Sequence, residues 1–283
     1  MPMNAEAQDL KIVDAAADRA FRSLAGAIGR DPDNTWIGSY VEHVWTQARH
    51  LMQAYLGRRL EGCRTLEFGC NVGATAIVLA RLGAVVAAVD IDERNIALAA
   101  ANARRYGVAG VSFAVLPPPP AVGVPFENER FDLVTCSSVL EYVEPAHLVM
   151  PILRELDRVL RPGGVMLVMA TSNRLAPREV HSGRWLANYL PRRADAVTGR
   201  PLQRGVSPWR IRRGLPFYRD LVFADRARAY FAARERAGFA PAKIAALRAA
   251  AALCRPLGWS AGMLTPSFFL ALRKPGAIGA EPG

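Results

Sequence analysis

The sequence predicts an α/β protein built on a mostly parallel sheet of seven strands, with helices on both faces. Three observations predict this class. Between residues 64 and 171, short apolar runs alternate with helical stretches. Short turns join these elements, which favours parallel strands connected by helices. The chain has 283 residues, 51% of them hydrophobic, which is enough to bury the core of one large domain or of a domain with a smaller appendage.

The first sixty residues show helical periodicity. Residues 9–28 place apolar side chains at nearly helical spacing. A break at 31–34 follows, and its Asp and Asn side chains suit the capping of the next helix. Residues 36–57 predict a second amphipathic helix that ends at Gly57. We therefore expect segment 1–60 to form an N-terminal helical cap.

The predicted core spans 61–171 and alternates five strands with three helices. Its strands are expected at 65–68, 85–89, 111–115, 131–136 and 165–170. Its helices are expected at 74–82, 93–106 and about 147–160. The last helix runs into Arg-Pro-Gly-Gly, a sequence that stops a helix and turns the chain.

Residues 172–222 interrupt the alternation and are rich in Arg, Pro, Trp and Tyr, which predicts an insertion after the fifth strand, on the substrate side. Residues 223–274 are expected to complete the core, beginning with a helix over 223–237, and residues 275–283 to form a tail. An alanine-rich helix is expected around 244–254. The last two strands are expected at 243–247 and 267–272.

The net charge of +11 is confined to the second part of the chain. Residues 1–180 carry 18 Lys/Arg against 20 Asp/Glu, whereas residues 181–283 carry 18 against five. A basic region suits nucleic acid, a membrane surface or an anionic substrate. Because 33 of the 36 basic residues are arginines, a genome-wide compositional bias is the simpler explanation.

Composition disfavours several classes of protein. The sequence has no run of about 18 apolar residues that would predict a transmembrane helix. Its first twenty residues lack the apolar stretch of a secretory signal. The four cysteines show no CxxC spacing, so we expect neither a zinc site nor a disulfide framework, and we predict a cytoplasmic location.

A glycine-bearing turn, Glu67–Gly73, follows the first predicted strand of the core. Small residues let the backbone approach a ligand closely, and the next helix offers free N–H groups and the positive end of its dipole. Asp90 lies 17 residues after Gly73, at the end of the next strand, where a carboxylate can accept hydrogen bonds from both hydroxyls of a ribose. No Gly-Lys-Ser/Thr follows the turn, which excludes a P-loop.

Four motifs in this order resemble the class I S-adenosylmethionine-dependent methyltransferases, in particular the broad small-molecule group called methyltransferase type 11. The motifs are LEFGCNVG at 66–73, VDID at 89–92, FDLVTCSSVLEYV at 131–143 and LRPGG at 160–164. The resemblance covers about 110 residues. It implies a Rossmann-like fold, S-adenosylmethionine as cofactor and S-adenosylhomocysteine as product.

The resemblance also implies a cofactor site. Glu67 and Gly69 would line the methionine end of the cofactor, Asp90 would hold the ribose and Ile91 would pack against the adenine. The residues implied in cofactor binding are Glu67, Gly69, Cys70, Asn71, Gly73, Asp90, Ile91, Cys136 and Ser137.

The end of the fourth strand completes the implied site. Cys136 and Ser137 would lie beneath the sulfonium and the methionine moiety, and Tyr142 would lie on the acceptor side. The chain departs from the family pattern twice. Asn71 stands where the family has a glycine-type residue, and Asn tolerates a left-handed backbone better than other non-glycine residues do. The segment 116–120, LPPPP, lacks the acidic residue that usually meets the adenine amino group.

The catalytic candidates follow the fifth strand, where open α/β sheets bind substrates. Methyl transfer from a sulfonium mainly requires that the acceptor be held in line, and a hydroxyl acceptor needs a base in addition whereas a carboxylate does not. His181 is the predicted general base, with Glu179 or Asn173 as its orienting partner, and Tyr142 completes the catalytic set. No metal is predicted, because the acidic residues are not clustered for one.

The predicted activity is methylation of a small molecule at a hydroxyl or carboxylate oxygen, in natural-product, lipid or glycan biosynthesis. Aromatic residues and arginines in the insertion suit an anionic or aromatic acceptor, and they also suit peripheral contact with a membrane. Modification of RNA or DNA is a second hypothesis, disfavoured because no Asn/Asp-Pro-Pro-Tyr/Phe follows the fourth strand. A non-catalytic protein that binds the cofactor is a third. The sequence leaves the oligomeric state open.

Overall fold

A computed structural model describes residues 10–56, 60–191, 193–198 and 202–276. Parts of three predicted segments lie outside these ranges. They are residues 1–9 and 57–59 of the predicted cap, including Gly57 as the end of its second helix, residues 192 and 199–201 of the predicted insertion, and residues 277–283 of the predicted tail.

One seven-stranded sheet forms the centre of the fold. Its strands are β1 (Arg64–Phe68), β2 (Val85–Asp90), β3 (Val111–Val115), β4 (Phe131–Ser137), β5 (Leu160–Ser172), β6 (Arg219–Asp220) and β7 (Ser267–Arg273). Their order across the sheet is β3-β2-β1-β4-β5-β7-β6. The first five strands are parallel, and β7 is antiparallel to both β5 and β6. The predicted Rossmann-like, mostly parallel sheet is confirmed.

Helices precede the sheet, cover both its faces and separate its last strands. They are α1 (Ala15–Ala27), α2 (Thr35–Gly38), α3 (Tyr40–His43), a π-helical turn (Val44–Ala48), α4 (Arg49–Leu56), α5 (Ala74–Arg81), α6 (Glu93–Arg105), α7 (Val149–Val159), α8 (Ala194–Thr198), α9 (Pro208–Gly214), α10 (Leu221–Ala224), α11 (Arg228–Arg236) and α12 (Pro241–Cys254). Short 3-10 helices cover Leu140–Tyr142, Ala146–Leu148, Ala187–Tyr189, Arg255–Leu257 and Ala261–Leu264.

The central strands are buried on both faces because their side chains alternate between two hydrophobic clusters. Leu133 belongs to one cluster and Val134 to the other; Leu167 and Val168 divide in the same way. Helices α4, α5, α6 and α11 contribute to the first cluster, and α7 and α9 to the second. Helix α7 does so through apolar residues at spacings of three and four, the pattern of a one-sided helix.

The first helix attaches to the core through a buried arginine. Arg105, at the end of α6, is 2% exposed, and its guanidinium lies 2.7 Å from Asp18 of α1 and 4.2 Å from the centre of the Phe21 ring. The ion pair and the aromatic face compensate for the desolvation of this cation. Helix α1 is therefore held beside α6, whose N-terminus borders the site.

The structure corrects one predicted strand. Residues 243–247 lie inside α12, so the strand expected there is wrong, whereas the alanine-rich helix around 244–254 is confirmed. Alanines are strong helix formers and Pro241 occupies the first helical turn, so the helical preference exceeds that of a short apolar run. The remaining strand is Arg219–Asp220, at the end of the segment predicted as an insertion.

Three predicted helices differ in their boundaries. The helix expected over 36–57 is interrupted after Gly38 and continues through a π-helical turn. The helix expected over 223–237 is divided into α10 and α11. The third helix of the core ends at Val159, and Arg-Pro-Gly-Gly forms an irregular stretch inside β5, where the register with β4 shifts. The division of the chain into a cap, a core, an insertion and a tail stays a prediction.

Candidate functional site

The candidate site lies at the carboxyl ends of β1, β2 and β4. Strand β1 pairs with β2 on one side and with β4 on the other, so the order of strands reverses beside β1. Such a switch point leaves a crevice outside the strand ends, where open α/β sheets bind ligands. Glu67, Asp90 and Ser137 stand at or next to the ends of these three strands.

The turn after β1 has a left-handed backbone at three alternate positions. The φ angles of Gly69, Asn71 and Gly73 are 75°, 49° and 71°. The departure from glycine at Asn71 is therefore accommodated, because Asn adopts this conformation more readily than other side chains. The N–H groups of Gly69 and Cys70 donate to the Val89 carbonyl at 2.8 and 2.9 Å, which ties the turn to β2.

Gly69 is needed for space as well as for its φ angle. A Cβ at this position would collide with both γ-methyl groups of Val139. Val139 follows β4, so the turn after β1 and the loop after β4 are in close contact here. This contact brings together the two loops that border the crevice.

Asp90 organises the wall of the site on the β2 side. Its carboxylate accepts hydrogen bonds from the Asn71 N–H (2.9 Å), the Asp92 N–H (3.0 Å) and the Asn95 side chain (3.1 Å). Arg30 joins two of these partners, donating to Asn71 Oδ1 at 3.0 Å and to Asn95 Oδ1 at 2.7 Å. The turn, the strand end and the start of α6 therefore form one hydrogen-bonded unit.

Glu67 is a buried carboxylate with an unused oxygen. The residue is 2% exposed, and Oε2 has no hydrogen-bond partner among the described residues. Burial raises the pKa of Glu67 to about 8, against hydrogen bonds from the Ala76 backbone and the Thr75 side chain that lower it. A cationic group bound beside Oε2 would satisfy the oxygen and favour the ionised form.

Other residues of the implied cofactor site differ in their exposure. Ile91 is 54% exposed, an apolar side chain left uncovered beside Asp90. Cys136 is fully buried in the second hydrophobic cluster, where desolvation raises the pKa of its thiol. Its side chain therefore faces the core, and only its backbone can border a ligand. Cys70 is also buried, and burial raises the pKa of its thiol well above the usual value.

Helix α3 contributes an aromatic group that the sequence did not indicate. Burial raises the pKa of the Tyr40 hydroxyl, the charge of Glu67 adds to the rise, and a hydrogen bond with Ser137 works against it. The Tyr40 ring stacks at 6.0 Å on His43. Tyr40 therefore joins the N-terminal helices to the strand ends that carry the site.

His181 meets a buried carboxylate after β4. Its Nε2 lies 3.0 Å from Oε1 of Glu141, whose side chain is fully buried, while the His181 side chain is 28% exposed. The same Oε1 accepts hydrogen bonds from Ser138 Oγ (3.2 Å) and from the Ser172 N–H (3.0 Å). The hydrogen bond to Glu141 raises the pKa of His181 above its ordinary value.

The two partners that the sequence suggested for His181 have other contacts. Oε1 of Glu179 accepts from the His181 backbone N–H at 3.1 Å and from Ser172 Oγ at 2.8 Å, so Glu179 holds the loop and not the ring. Burial acts to raise the pKa of Glu179, but these and neighbouring hydrogen bonds lower it overall. The Asn173 amide donates to the carbonyls of Met263 and Thr265, at the approach to β7.

Tyr142 lies beside His181 at the open side of the site. The two ring centroids are 5.3 Å apart, and Tyr142 is 54% exposed. Desolvation and the charge of Glu141 raise the pKa of Tyr142 to about 12. The hydroxyl is therefore a neutral hydrogen-bonding group at neutral pH.

The described part of the chain contains neither a candidate metal site nor a candidate membrane-spanning helix. Residues 10–56, 60–191, 193–198 and 202–276 contain no group of three or more His, Cys, Asp and Glu side chains that could hold a metal ion. No helix in these ranges combines the length and apolar character required to cross a bilayer.

Comparison with known proteins agrees with this geometry. Residues 66–168, which include the turn, Asp90 and Glu141, match the family model described as a methyltransferase domain. The chain carries a class I S-adenosylmethionine-dependent methyltransferase domain. This methyltransferase domain implies S-adenosylmethionine as the methyl donor.

Curated relatives match part of the chain. The ubiquinone biosynthesis O-methyltransferase of Rhizobium johnstonii is 34% identical over 138 residues, which cover 48% of this chain and 52% of the relative. The protein of the same name from Methylocella silvestris is 38% identical over 120 residues, covering 42% and 44%. The chain spans about half the length of the curated relatives it matches.

A solved methyltransferase structure gives a weaker likeness. A SAM-dependent methyltransferase from Aquifex aeolicus aligns with 61% of this chain and 79% of its own, at 17% identity and a TM-score of 0.44. The assignment of a Rossmann-like fold therefore rests on the observed order of the seven strands.

The structure gathers the residues predicted for the site into two groups. The first surrounds the turn and includes Glu67, Gly69, Asn71 and Asp90; the second joins His181 and Tyr142. Three contributors were missed. Glu141 lies inside the motif at 131–143, but Arg30 and Tyr40 are far away along the chain, and no local pattern marks them.

Proposed function

We propose that this protein transfers a methyl group from S-adenosylmethionine to an oxygen of a small-molecule acceptor. The observation that carries the proposal is that the segment matching a methyltransferase domain, 66–168, also supplies Glu67, Asp90 and Glu141, which lie at or after the carboxyl ends of the adjacent strands β1, β2 and β4. The names of the curated relatives, ubiquinone biosynthesis O-methyltransferases, support an oxygen as the acceptor atom.

The residues around the turn fit the cofactor. Glu67 offers a buried oxygen without a partner to the amino group, and Asp90 offers a carboxylate to the ribose hydroxyls. Ile91 offers an exposed apolar surface to the adenine. When bound, the cofactor supplies an electrophilic methyl group on a sulfonium. The chain has only to bind, orient and desolvate the acceptor beside it.

His181 is the proposed base for a hydroxyl acceptor, and Glu141 is its positioning residue. With Nε2 directed at Glu141, the nitrogen that remains for the acceptor proton is Nδ1. The carboxylate orients the ring and stabilises the imidazolium after the proton has moved to Nδ1. Glu179, in this proposal, acts by holding the backbone of the His181 loop.

The acceptor is proposed to be aromatic. Tyr142, Trp185 and Tyr189 are 54%, 69% and 53% exposed, and all three belong to the loops that follow β4 and β5. Aromatic side chains there can stack on a planar acceptor. An anionic character of the acceptor, contact with a membrane surface and a cytoplasmic location stay predictions.

The first test is binding of S-adenosylhomocysteine, measured by isothermal titration calorimetry. Saturable binding with one site supports the assigned cofactor residues. Absence of binding at millimolar ligand would remove the methyltransferase proposal.

The second test is turnover with matched acceptors. We would measure S-adenosylhomocysteine release from S-adenosylmethionine with a panel of phenols, aliphatic alcohols and aryl carboxylates. The substitution His181→Ala should slow hydroxyl acceptors and leave carboxylate acceptors unaffected. If it changes turnover of a hydroxyl acceptor by less than about threefold, which is under 1 kcal/mol of barrier, His181 is not the base.

A further inference from the structure

A second cavity lies away from the strand ends that form the candidate site. It has a volume of about 470 Å³ and is enclosed by α10, α11 and α12 and by the segment that follows α12. This volume is in the range of small-molecule pockets. None of its lining residues belongs to the cofactor or catalytic groups described above.

The cavity has an excess of positive charge. Among the described residues, four arginines line it, against a single carboxylate, that of Glu235. Glu235 is paired with Arg248 at 2.8 Å. The arginines are Arg226, Arg228, Arg248 and Arg255. In a partly enclosed space, an unbalanced charge of one sign concentrates the field and attracts an ion of the opposite sign.

Two of these arginines are held against aromatic rings in the cavity wall. The guanidinium of Arg255 lies 4.3 Å from the centre of the Phe223 ring and donates to the Phe223 carbonyl at 2.8 Å. The guanidinium of Arg248 lies 5.1 Å from the centre of the Phe231 ring. Stacking restrains each guanidinium plane, so that less freedom is lost when its remaining N–H groups bind a carboxylate or a phosphate.

The wall also contains strained backbone. Arg226 and Ala227 have consecutive φ angles of 57° and 59°, although both carry a Cβ. Left-handed conformations of such residues are costly and cluster at ligand sites. The strained backbone, the arginines and the aromatic side chains therefore all line the same cavity.

We infer that this cavity binds a small amphipathic anion, whose carboxylate or phosphate pairs with the arginines and whose apolar body contacts Phe223, Phe231 and Trp259. A free small molecule is favoured over a lipid surface because the apolar wall is recessed between three helices. The inference concerns a site separate from that of methyl transfer and does not depend on the proposed function.

The test compares three probes by isothermal titration calorimetry of the full chain. Sodium octanoate has both the charge and the apolar body, acetate has only the charge, and n-octanol has only the apolar body. Octanoate should bind at one saturable site, roughly tenfold or more tightly than either comparison probe.

Substitutions place the binding in this cavity. Arg255→Gln and Arg248→Gln should each weaken octanoate binding by roughly tenfold. Arg236→Gln is the matched control, since Arg236 is an exposed arginine at the end of α11 and does not line the cavity. An unchanged far-UV circular dichroism spectrum and an unchanged thermal unfolding midpoint would confirm that each variant is folded. If Arg255→Gln does not fold, Arg226→Gln, on the exposed rim, takes its place.

Three outcomes would overturn the inference. Equal octanoate affinity in the cavity variants and in the Arg236→Gln control would place binding elsewhere. Acetate or n-octanol binding as tightly as octanoate would mean that charge or apolar surface acts alone. Binding to phosphatidylglycerol vesicles that octanoate does not displace would assign the arginines to a membrane surface.

Discussion

The ring of His181 and the carboxylate of Glu141 meet at 3.0 Å, although 40 residues separate them in the chain. Glu141 follows β4 and His181 follows β5, and these strands are neighbours in the parallel sheet. The pairing joins a fully buried carboxylate to a partly exposed imidazole. A histidine so placed can take a proton from the open side while its other nitrogen stays anchored.

The substitution Glu141→Gln should lower the pKa of His181, because the hydrogen bond to this carboxylate is the largest cause of its rise. Because the pKa of His181 is higher in the folded than in the unfolded protein, its protonated form stabilises the fold. This contribution is complete below the unfolded-state pKa of about 6.5 and is lost as pH rises through the folded-state pKa. Titration of the histidine ring protons by NMR measures the shift, with the other three histidines as internal controls. An unchanged His181 pKa would contradict the pairing.

For methyl transfer to a hydroxyl, the neutral imidazole is the active form. The rate should therefore increase as pH rises through the raised pKa of His181. In Glu141→Gln this increase should begin at lower pH, with a lower maximum rate. If the wild type and Glu141→Gln have the same pH profile of turnover, Glu141 does not contribute to catalysis.

Asp90→Asn should weaken S-adenosylhomocysteine binding by roughly tenfold or more, because the amide cannot accept from the ribose and from three protein donors together. Asp92→Asn is the matched control. Asp92 caps α6 two residues away, and Asn caps helices as well as Asp does. Titration calorimetry measures both, and equal losses would contradict the assigned role of Asp90.

Glu67→Gln should remove a pH dependence of stability. Burial raises the pKa of Glu67 to about 8, so the folded protein binds more protons than the unfolded chain between about pH 4.3 and that value. Stability should therefore fall as pH rises through this window in the wild type and fall less in Glu67→Gln. Urea unfolding at about pH 5.5 and about pH 8.5 measures the difference.

The same carboxyl group should release a proton when the cofactor product binds near neutral pH. The amino group would favour the ionised form of Glu67 and so lower its pKa. Calorimetry in buffers of different ionisation enthalpy counts the protons. Release that persists in Glu67→Gln would assign it to another group.

Gly69→Ala should disrupt the turn more than Gly62→Ala. Both glycines are left-handed, with φ angles of 75° and 69°, so each substitution should cost about 1–2 kcal/mol in backbone strain. The added Cβ at Gly62 meets open space, whereas at Gly69 it collides with the stiff Val139 side chain. Only Gly69→Ala should lose binding of S-adenosylhomocysteine; thermal unfolding and titration calorimetry distinguish the two.

Much of the fold follows from local patterns. The strands of the core and the helices after β1 and β2 were predictable because their apolar residues recur at the spacings of strands and helices. The short strand Arg219–Asp220 was not predictable, since two polar residues carry no such pattern. These two residues form a strand only because the distant strand β7 pairs with them.

The sequence by itself determined the α/β class, the order of the core elements and the turn that ends at Gly73, because each depends on residues close together in the chain. Only the tertiary structure decided which side chains meet. Arg30 reaches Asn71, and Glu141 reaches His181, across tens of residues. Such contacts arise when neighbouring strands bring their following loops to one edge of the sheet, and no local spacing records them.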